Sequence, residues 1–136
     1  MNYLLDTDTY IYYLNGNENI QRKILELDPT QIFISIPTMA ELYFGAYNSE
    51  HIKSNLQKIK TLLESVEIAP SSPKIAEYFG EIKTKLRKEG NIIPDIDILI
   101  AGYAIANGLI LVTNNEVHFN RIQTLKIENW LESNMR

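Results

Sequence analysis

The sequence lacks cysteine altogether, which excludes disulfide bonds, zinc sites built on thiolates and cysteine nucleophiles. No apolar run approaches the ~18 residues of a membrane-spanning helix, so we expect no membrane span. Leu4 and Leu5 are followed at once by Asp6, and no basic segment precedes them, so we expect no signal peptide. Together these absences predict a soluble protein of the cytoplasm.

An excess of basic residues is also missing. Lys and Arg number 13 against 17 Asp and Glu, so the net charge is −4. This balance argues against broad electrostatic binding to nucleic acid, although cations held in an acidic pocket would reverse the local field. The 136 residues are 45% hydrophobic, which is enough for one globular domain, and we expect that domain to span residues 1–136.

Short apolar runs alternate with segments of helical periodicity along the chain. Strands are predicted near 3–6, 32–35, 66–68, 109–113 and 125–127, and helices near 9–14, 20–27, 38–47, 52–63, 74–89 and 96–107. The helix at 96–107 is the most apolar and should be largely buried. The alternation predicts the α/β class, as a three-layer α/β/α fold with a central, mostly parallel sheet.

Carboxylates or amides follow four of the apolar runs, each where a helix is expected to begin. They are Asp6, then Glu41 after Pro37 and Thr38, then Asp95 and Asp97, and finally Asn114 and Asn115. Because parallel strands end along one edge of the sheet, acids far apart in sequence can meet there. Carboxylates brought together repel one another unless a cation compensates, so the pattern predicts a divalent-cation site.

Each acid also has an ordinary structural explanation. Asp6 and Asp95 suit helix N-caps, and Asp97 suits a first helical turn. Thr38 and Glu41 have the spacing of a capping box. A cap contributes only about 1 kcal/mol and requires no catalytic role. The two interpretations are compatible, because side chains in a first turn lean toward the N-terminal end of the helix.

Four short motifs occur in order across nearly the whole chain. They are Leu4-Leu5-Asp6-Thr7-Asp8, Ala40-Glu41-Leu42 with Gly45-Ala46, Asp97-Ile98-Leu99-Ile100-Ala101, and Leu111-Val112-Thr113-Asn114-Asn115 with Phe119. In this order and spacing they resemble a PIN domain, specifically the VapC-type toxins of prokaryotic toxin–antitoxin pairs. The segment 125–130 looks like the usual ending of that family. No single motif is specific, but the four together are a strong signal.

The resemblance implies a PIN-like fold and a metal-dependent endoribonuclease, the toxin of a VapBC-like pair. Asp6, Glu41 and Asp97 would be the catalytic residues and the ligands of Mg²⁺ or Mn²⁺. The ion would activate a water for in-line attack on an RNA phosphodiester, leaving a 5′-phosphate and a 3′-hydroxyl. The family further implies a homodimer and a cognate VapB-like antitoxin, which would lay a helix or tail across the tyrosine-rich helices and direct a basic side chain toward the acids.

The chain departs from the family pattern after the last motif, where PIN domains often carry a fourth acid. Here the sequence offers Asn115 and Glu116 as the nearest oxygen donors, and His118 as a minor candidate. Asp8 and Asp95 are the other acids close in sequence to the predicted site. Whether one or two metal ions bind therefore stays open at this point.

Basic and aromatic residues suggest further contacts. Basic residues that could meet RNA phosphates are Lys74, Lys83, Lys85, Arg87, Lys88, Arg121 and Lys126, and a solvated helix surface explains them at least as well. Aromatic residues that could stack bases or receive a partner helix are Tyr10, Tyr12, Tyr13, Tyr43, Phe44 and Tyr47, and packing explains most of them better. His51 and His118 have no nucleophile at a suggestive spacing, so we expect both at the surface.

Two other functions fit parts of the sequence. Residues 4–9 also match the nucleophile loop of haloacid-dehalogenase-like phosphatases, with Asp6 as nucleophile and Asp8 as general acid. That mechanism needs a paired acidic metal motif near the C-terminus, which is missing, and it leaves Glu41 and Asp97 unused. A non-catalytic PIN-like binding module is the third possibility, supported only by the missing fourth acid. The residues do not distinguish tRNA, rRNA and mRNA as the substrate.

Overall fold

The computed structural model describes residues 1–131, and the five strands in this range form one parallel sheet. They are β1 (Tyr3–Leu5), β2 (Ile32–Ile34), β3 (Glu67–Ile68), β4 (Ile110–Val112) and β5 (Ile127–Glu128). Their order across the sheet is β3-β2-β1-β4-β5, and every neighbouring pair is parallel. The predicted sheet is therefore confirmed. Residues 132–136 of the predicted domain lie outside the described residues.

Helices cover both faces of the sheet. They are α1 (Thr7–Leu14), α2 (Glu18–Leu25), α3 (Ile36–Tyr47), α4 (Ile52–Glu64), α5 (Pro73–Lys88), α6 (Asp95–Ala106) and α7 (Glu116–Phe119). One core cluster joins the sheet to residues of α1–α4, and the other joins it to residues of α5–α7. The three-layer α/β/α prediction is thus confirmed.

Adjacent residues of the inner strands serve opposite cores. Leu4 and Leu111 pack with α5 and α6, whereas Leu5 and Val112 pack on the other face with α1–α4. All four side chains are fully buried. Because both faces of the sheet are covered, each inner strand is an uninterrupted apolar run, and the first polar residue marks its end.

The helix α6 is buried along most of its length, as its apolar sequence predicts. Its buried residues include Ile98, Ala101 and Ala104. The helix ends at Ala106 and is followed by Gly108, whose φ of +64° suits glycine, and the Leu109 N–H donates to the Ala104 carbonyl at 2.8 Å. Within residues 1–131 no helix is both long and apolar enough to cross a membrane.

The helices α1, α2 and α3 begin two residues before their predicted starts, and α5 and α6 begin one residue before theirs. The helix α3 begins at Ile36 rather than Thr38, because the Ser35 hydroxyl accepts from the Thr38 N–H at 3.3 Å and Pro37 suits a first turn. The capping box between Thr38 and Glu41 is therefore wrong, and Glu41 lies in the second turn. The helix α6 begins at Asp95, with Pro94 in the cap position, so Asp95 is not the N-cap.

The last strand is shifted toward the C-terminus. It comprises Ile127–Glu128 instead of 125–127, since Leu111 and Val112 of β4 pair with these two residues. Register with the neighbouring strand, rather than local composition, sets these bounds.

Candidate active site at the carboxyl edge of the sheet

Asp6 lies at the carboxyl end of the central strand β1 and caps α1, as predicted. Its Oδ1 accepts from the Thr9 N–H at 2.9 Å, and its Oδ2 accepts from the Thr113 hydroxyl at 2.6 Å. The Asp6 side chain is held between two strand ends, because β1 and β4 are neighbours. Only 5% of Asp6 is exposed, so the carboxylate is fixed in a largely buried position.

The environment of Asp6 disfavours its charge. Burial raises the pKa of the Asp6 carboxyl, and the nearby Asp8 raises that pKa further, whereas the hydrogen bonds from Thr113 and Thr9 oppose the rise. None of the ion pairs in the described part of the chain involves Asp6. A buried carboxylate whose partners are all neutral is a suitable ligand for a cation.

A chain of polar contacts connects Asp6 to Asp97. The Thr113 hydroxyl, which donates to Asp6, accepts from the Asn115 N–H at 2.9 Å. The Asn115 Nδ2 lies 2.7 Å from His118 Nδ1, and His118 Nδ1 lies 3.1 Å from Asp97 Oδ2. Because Asp97 is in the first turn of α6 and Asn115 precedes α7, three separate elements converge on one edge of the sheet.

Glu41 reaches the same edge from α3. Its carboxylate accepts a short hydrogen bond from the hydroxyl of Thr7, the residue next to Asp6. The Thr7 hydroxyl also lies 3.2 Å from the Thr38 hydroxyl. Glu41 itself is exposed, so this acid faces solvent while Asp6 is buried. The structure therefore connects Glu41 to the loop that carries Asp6.

The other candidate acids have different neighbours. Asp8 is exposed in the first turn of α1. Asp95 forms an ion pair with Lys83, at 3.0 Å between Lys83 Nζ and Asp95 Oδ1. Glu116 accepts at 3.0 Å from the side-chain amide of Asn129. These three acids are thus engaged elsewhere or point to solvent.

Sequence reasoning missed two polar side chains of the site, Thr7 and Thr113, and gave His118 only as a minor candidate. His118 was expected at the surface, but its side chain is only 33% exposed and contacts Asp97. Its position three residues after Asn115, on a short helix, was the available signal. The hydroxyls of Thr7 and Thr113 flank the ends of β1 and β4, and they position Glu41 and Asp6. His51 is exposed at the start of α4, as expected.

The donor set is suited to a hard divalent cation by its chemistry. Asp6, Glu41 and Asp97 offer carboxylate oxygens, the ligands that Mg²⁺ and Mn²⁺ accept most readily. In their present rotamers, no group of three or more His, Asp and Glu side chains within residues 1–131 is close enough to hold a metal ion. No lysine or arginine forms an ion pair with Asp6, Glu41 or Asp97 within residues 1–131. The negative charge at this edge of the sheet is therefore not neutralised by a basic side chain, which favours binding of a cation.

An apolar groove opens beside Glu41. It has a volume of about 210 Å³ and lies between α1, α3 and α4, lined by Ile11, Leu14, Asn15, Glu41, Leu42, Gly45, Ala46, Asn55, Lys58 and Ile59. Ile11 of this lining is 42% exposed, and α3 also exposes Phe44 (70%) and Tyr47 (63%). Tyr10, by contrast, is fully buried, and its hydroxyl donates to the Phe33 carbonyl at 2.6 Å.

Comparison with known proteins gives matches that extend well beyond the site. Residues 3–125 match the PIN domain family. The chain is 39% identical to Ribonuclease VapC2 of Haemophilus influenzae, over 96% of this chain and 99% of that protein. It is 31% identical to the tRNA(fMet)-specific endonuclease VapC of Salmonella typhimurium, over 96% and 98% of the two chains.

A solved structure agrees with these sequence matches. In the crystal structure of VapBC2 from Rickettsia felis bound to a DNA fragment from their promoter, one chain superposes with a TM-score of 0.89. The two chains are 38% identical, and the alignment covers 96% of this chain and 99% of that one.

Proposed function

This chain belongs to the PIN-domain family, and we propose that it is the RNA-cleaving toxin of a VapBC-like pair, with Asp6, Glu41 and Asp97 as its catalytic acids. The observation that carries this assignment of residues is the chain of polar contacts from the buried Asp6 to Asp97, with Glu41 held beside it by Thr7. Its relatives named as VapC ribonucleases and a tRNA endonuclease support RNA as the substrate.

The proposed reaction is hydrolysis of an RNA phosphodiester with the help of Mg²⁺ or Mn²⁺. When bound, the cation would lower the pKa of a water and offset the charge that develops on the phosphate. Thr9 and Thr113 keep Asp6 in one orientation, so this ligand needs no reorganisation during the reaction. Glu41, at the exposed rim, is the acid that first meets solvent and substrate.

Replacing Asp97 with Asn tests the proposal. We expect Asp97→Asn to abolish magnesium-dependent cleavage of total RNA, a loss greater than the ~10–100-fold typical of removing an outer-shell partner of a metal. The exposed Asp8 is the matched control, and Asp8→Asn should merely weaken cleavage. Circular dichroism of both variants shows whether they fold, and mapping of the cleaved ends with and without magnesium identifies the RNA.

The same variants separate the other two functions. A haloacid-dehalogenase-like phosphatase would release phosphate from small esters and would lose that activity on Asp8→Asn replacement. A non-catalytic PIN-like module would cleave nothing in either assay. If Asp97→Asn cleaves RNA as well as the unmodified chain does, the proposed catalytic role of the acids is wrong.

The second part of the proposal is a VapB-like antitoxin bound at the apolar groove between α1, α3 and α4. The related VapBC2 structure supports such a partner. The groove offers an apolar surface for an amphipathic helix, and α3, which forms one of its walls, also exposes Phe44 and Tyr47. Glu41 at its rim would attract a basic side chain of that helix, which would block the acids. A cytoplasmic location and a homodimer complete the proposal.

A charged residue introduced on this surface should weaken antitoxin binding without changing RNA cleavage. We expect Phe44→Glu to weaken antitoxin binding by about 2 kcal/mol, roughly 30-fold, as is typical of an aromatic anchor. The side chain is 70% exposed, so the variant should fold and still cleave RNA. Leu25→Glu is the control, because Leu25 is 84% exposed on α2, which contributes no residue to the groove, whereas Phe44 lies on α3, which does.

Co-purification of each variant with the antitoxin from the native locus measures the effect. Inhibition of RNA cleavage by added antitoxin gives the affinity. If Leu25→Glu weakens binding and Phe44→Glu does not, the antitoxin binds another surface.

A further inference from the structure

His118 lies where two of the site's side chains meet. Its Nδ1 is 2.7 Å from the side-chain nitrogen of Asn115 and 3.1 Å from Oδ2 of Asp97. The imidazole is only 33% exposed, and the Asp97 side chain 21%. The only other histidine in the sequence, His51, is exposed at the start of α4 and lines no part of this site.

A single ring nitrogen cannot satisfy both contacts as they stand. If Nδ1 carries a proton, it donates to Asp97 but faces the amide hydrogens of Asn115. If Nδ1 carries a lone pair, it accepts from Asn115 but faces a carboxylate oxygen. Rotating the Asn115 amide by half a turn places Oδ1 at this position, an orientation that is assigned from hydrogen bonding rather than seen directly. An amide oxygen and a carboxylate oxygen then lie 2.7 Å and 3.1 Å from the same imidazole nitrogen.

The separations between these atoms suit a bound cation. Neighbouring ligands of an octahedral ion with bonds of ~2.1 Å are ~3.0 Å apart. The contacts of 2.7 Å and 3.1 Å around His118 Nδ1 lie on either side of that value. Neutral imidazole is a common ligand of transition-metal ions and a poor one for Mg²⁺.

We propose that His118 is a nitrogen ligand of the catalytic cation, beside Asp97 and Asn115, and that it makes the site prefer Mn²⁺ over Mg²⁺. This inference rests on the proposed function, because it concerns the same cation. The proposal adds His118 to the three acids as a ligand. It also identifies His118 as the ligand that makes the site distinguish Mn²⁺ from Mg²⁺.

Pulsed electron paramagnetic resonance of the Mn²⁺-loaded full chain tests the inference directly. Mn²⁺ bound to an imidazole shows modulation from the coordinated ¹⁴N nucleus, and we expect this signal in the unmodified protein. The signal should persist in His51→Gln and disappear in His118→Gln. If His118→Gln does not fold, His51→Gln protein with ¹⁵N-labelled histidine decides the matter, since the only remaining histidine signal must then change with the isotope.

Binding titrations give a second measurement that does not depend on RNA cleavage. We expect His118→Gln to weaken Mn²⁺ binding about tenfold and Mg²⁺ binding less than about twofold, with no change of either in His51→Gln. Stoichiometric Mn²⁺ binding without any ¹⁴N modulation would overturn the role of His118 and leave the proposed function intact. Failure of Asp97→Asn to weaken Mn²⁺ binding would instead overturn the proposed metal site itself.

Discussion

Asp6 combines a structural role with a proposed functional one at the scale of a single residue. As the N-cap of α1 it binds the Thr9 N–H, and it also accepts from the hydroxyl of Thr113 on the neighbouring strand. Burial nevertheless raises the pKa of the Asp6 carboxyl, so the ionised form is costly in the folded chain. A residue that is useful for binding a cation is therefore destabilising without one.

Asp6→Asn should stabilise the metal-free protein at neutral pH. Because the pKa of Asp6 is raised by folding, its favourable contribution is present below the ordinary value near 3.8 and is lost as the pH rises through the raised value. Asparagine caps a helix as well as aspartate does and carries no charge. We expect a gain of about 0.5–2 kcal/mol at neutral pH that shrinks toward pH ~4.

Urea unfolding in the presence of a chelator measures this gain at the two pH values. Glu18→Gln serves as the control, since Glu18 is an exposed acid in the first turn of α2 and does not affect the pKa of Asp6. A gain that is equal at both pH values, or absent at neutral pH, would show that the buried charge is not the cause.

At the scale of elements, the C-terminal end of α5 lies next to the start of α6. The ion pair between Lys83 and Asp95 connects the two helices two residues before Asp97. Arg87, one turn further along α5, lines a cavity of about 180 Å³ with Ile92, Ile93 and other apolar residues. The basic side of α5 therefore borders the acidic edge, which is where an RNA strand that reaches the acids would pass. Contact between α5 and RNA stays a prediction.

Arg87→Glu should weaken RNA binding without changing the chemical step. Arg87 is exposed, so its replacement should leave folding unaffected. We expect the KM for RNA to rise about tenfold at low salt, with kcat changed by less than about twofold. The slope of the logarithm of the binding constant against the logarithm of the salt concentration should fall in magnitude by about one, because about one counterion fewer is released. Lys60→Glu on α4 makes the same charge change away from this edge and is the matched control. Equal effects of the two replacements would indicate net charge rather than a local contact.

At the scale of the whole molecule, residues near both ends of the described chain pack together. The ring of Trp130 lies 5.1 Å from that of Tyr3 in β1, at an interplanar angle of 61°. The Asn19 side chain donates to the Leu131 carbonyl at 2.8 Å. Trp130 also belongs to the core cluster that α1–α4 form with the sheet. The segment after β5 is therefore part of the core on this face.

The chain should accordingly unfold in one cooperative step. Trp130 is the only tryptophan in the sequence and is 4% exposed, so its fluorescence reports on the core. We expect the urea transitions followed by Trp130 fluorescence and by far-ultraviolet circular dichroism to coincide. Two separate transitions would contradict the prediction of one domain over 1–136.

Local patterns predicted much of this architecture. The apolar runs located β1 and β2, and the composition of α6 predicted its burial, because these features depend on periodicity and side-chain type. The start of α3 was missed because both Ser35 and Thr38 can serve as the N-cap. The spacing of Thr38 and Glu41 matches a capping box, so local spacing alone favours Thr38. The side chain of Glu41 consequently hydrogen-bonds to Thr7 on α1 instead of closing a capping box.

The sequence by itself determined the fold class and the family and predicted the set of acids, because apolar alternation and ordered motifs are readable along the chain. Only the tertiary structure decided which side chain contacts each acid. The Thr113–Asp6 contact joins residues 107 positions apart, and the His118–Asp97 contact joins residues 21 apart. Such contacts depend on strand register and on the exact residue at which each helix begins. Both are set by packing of the whole sheet, and no local pattern specifies them.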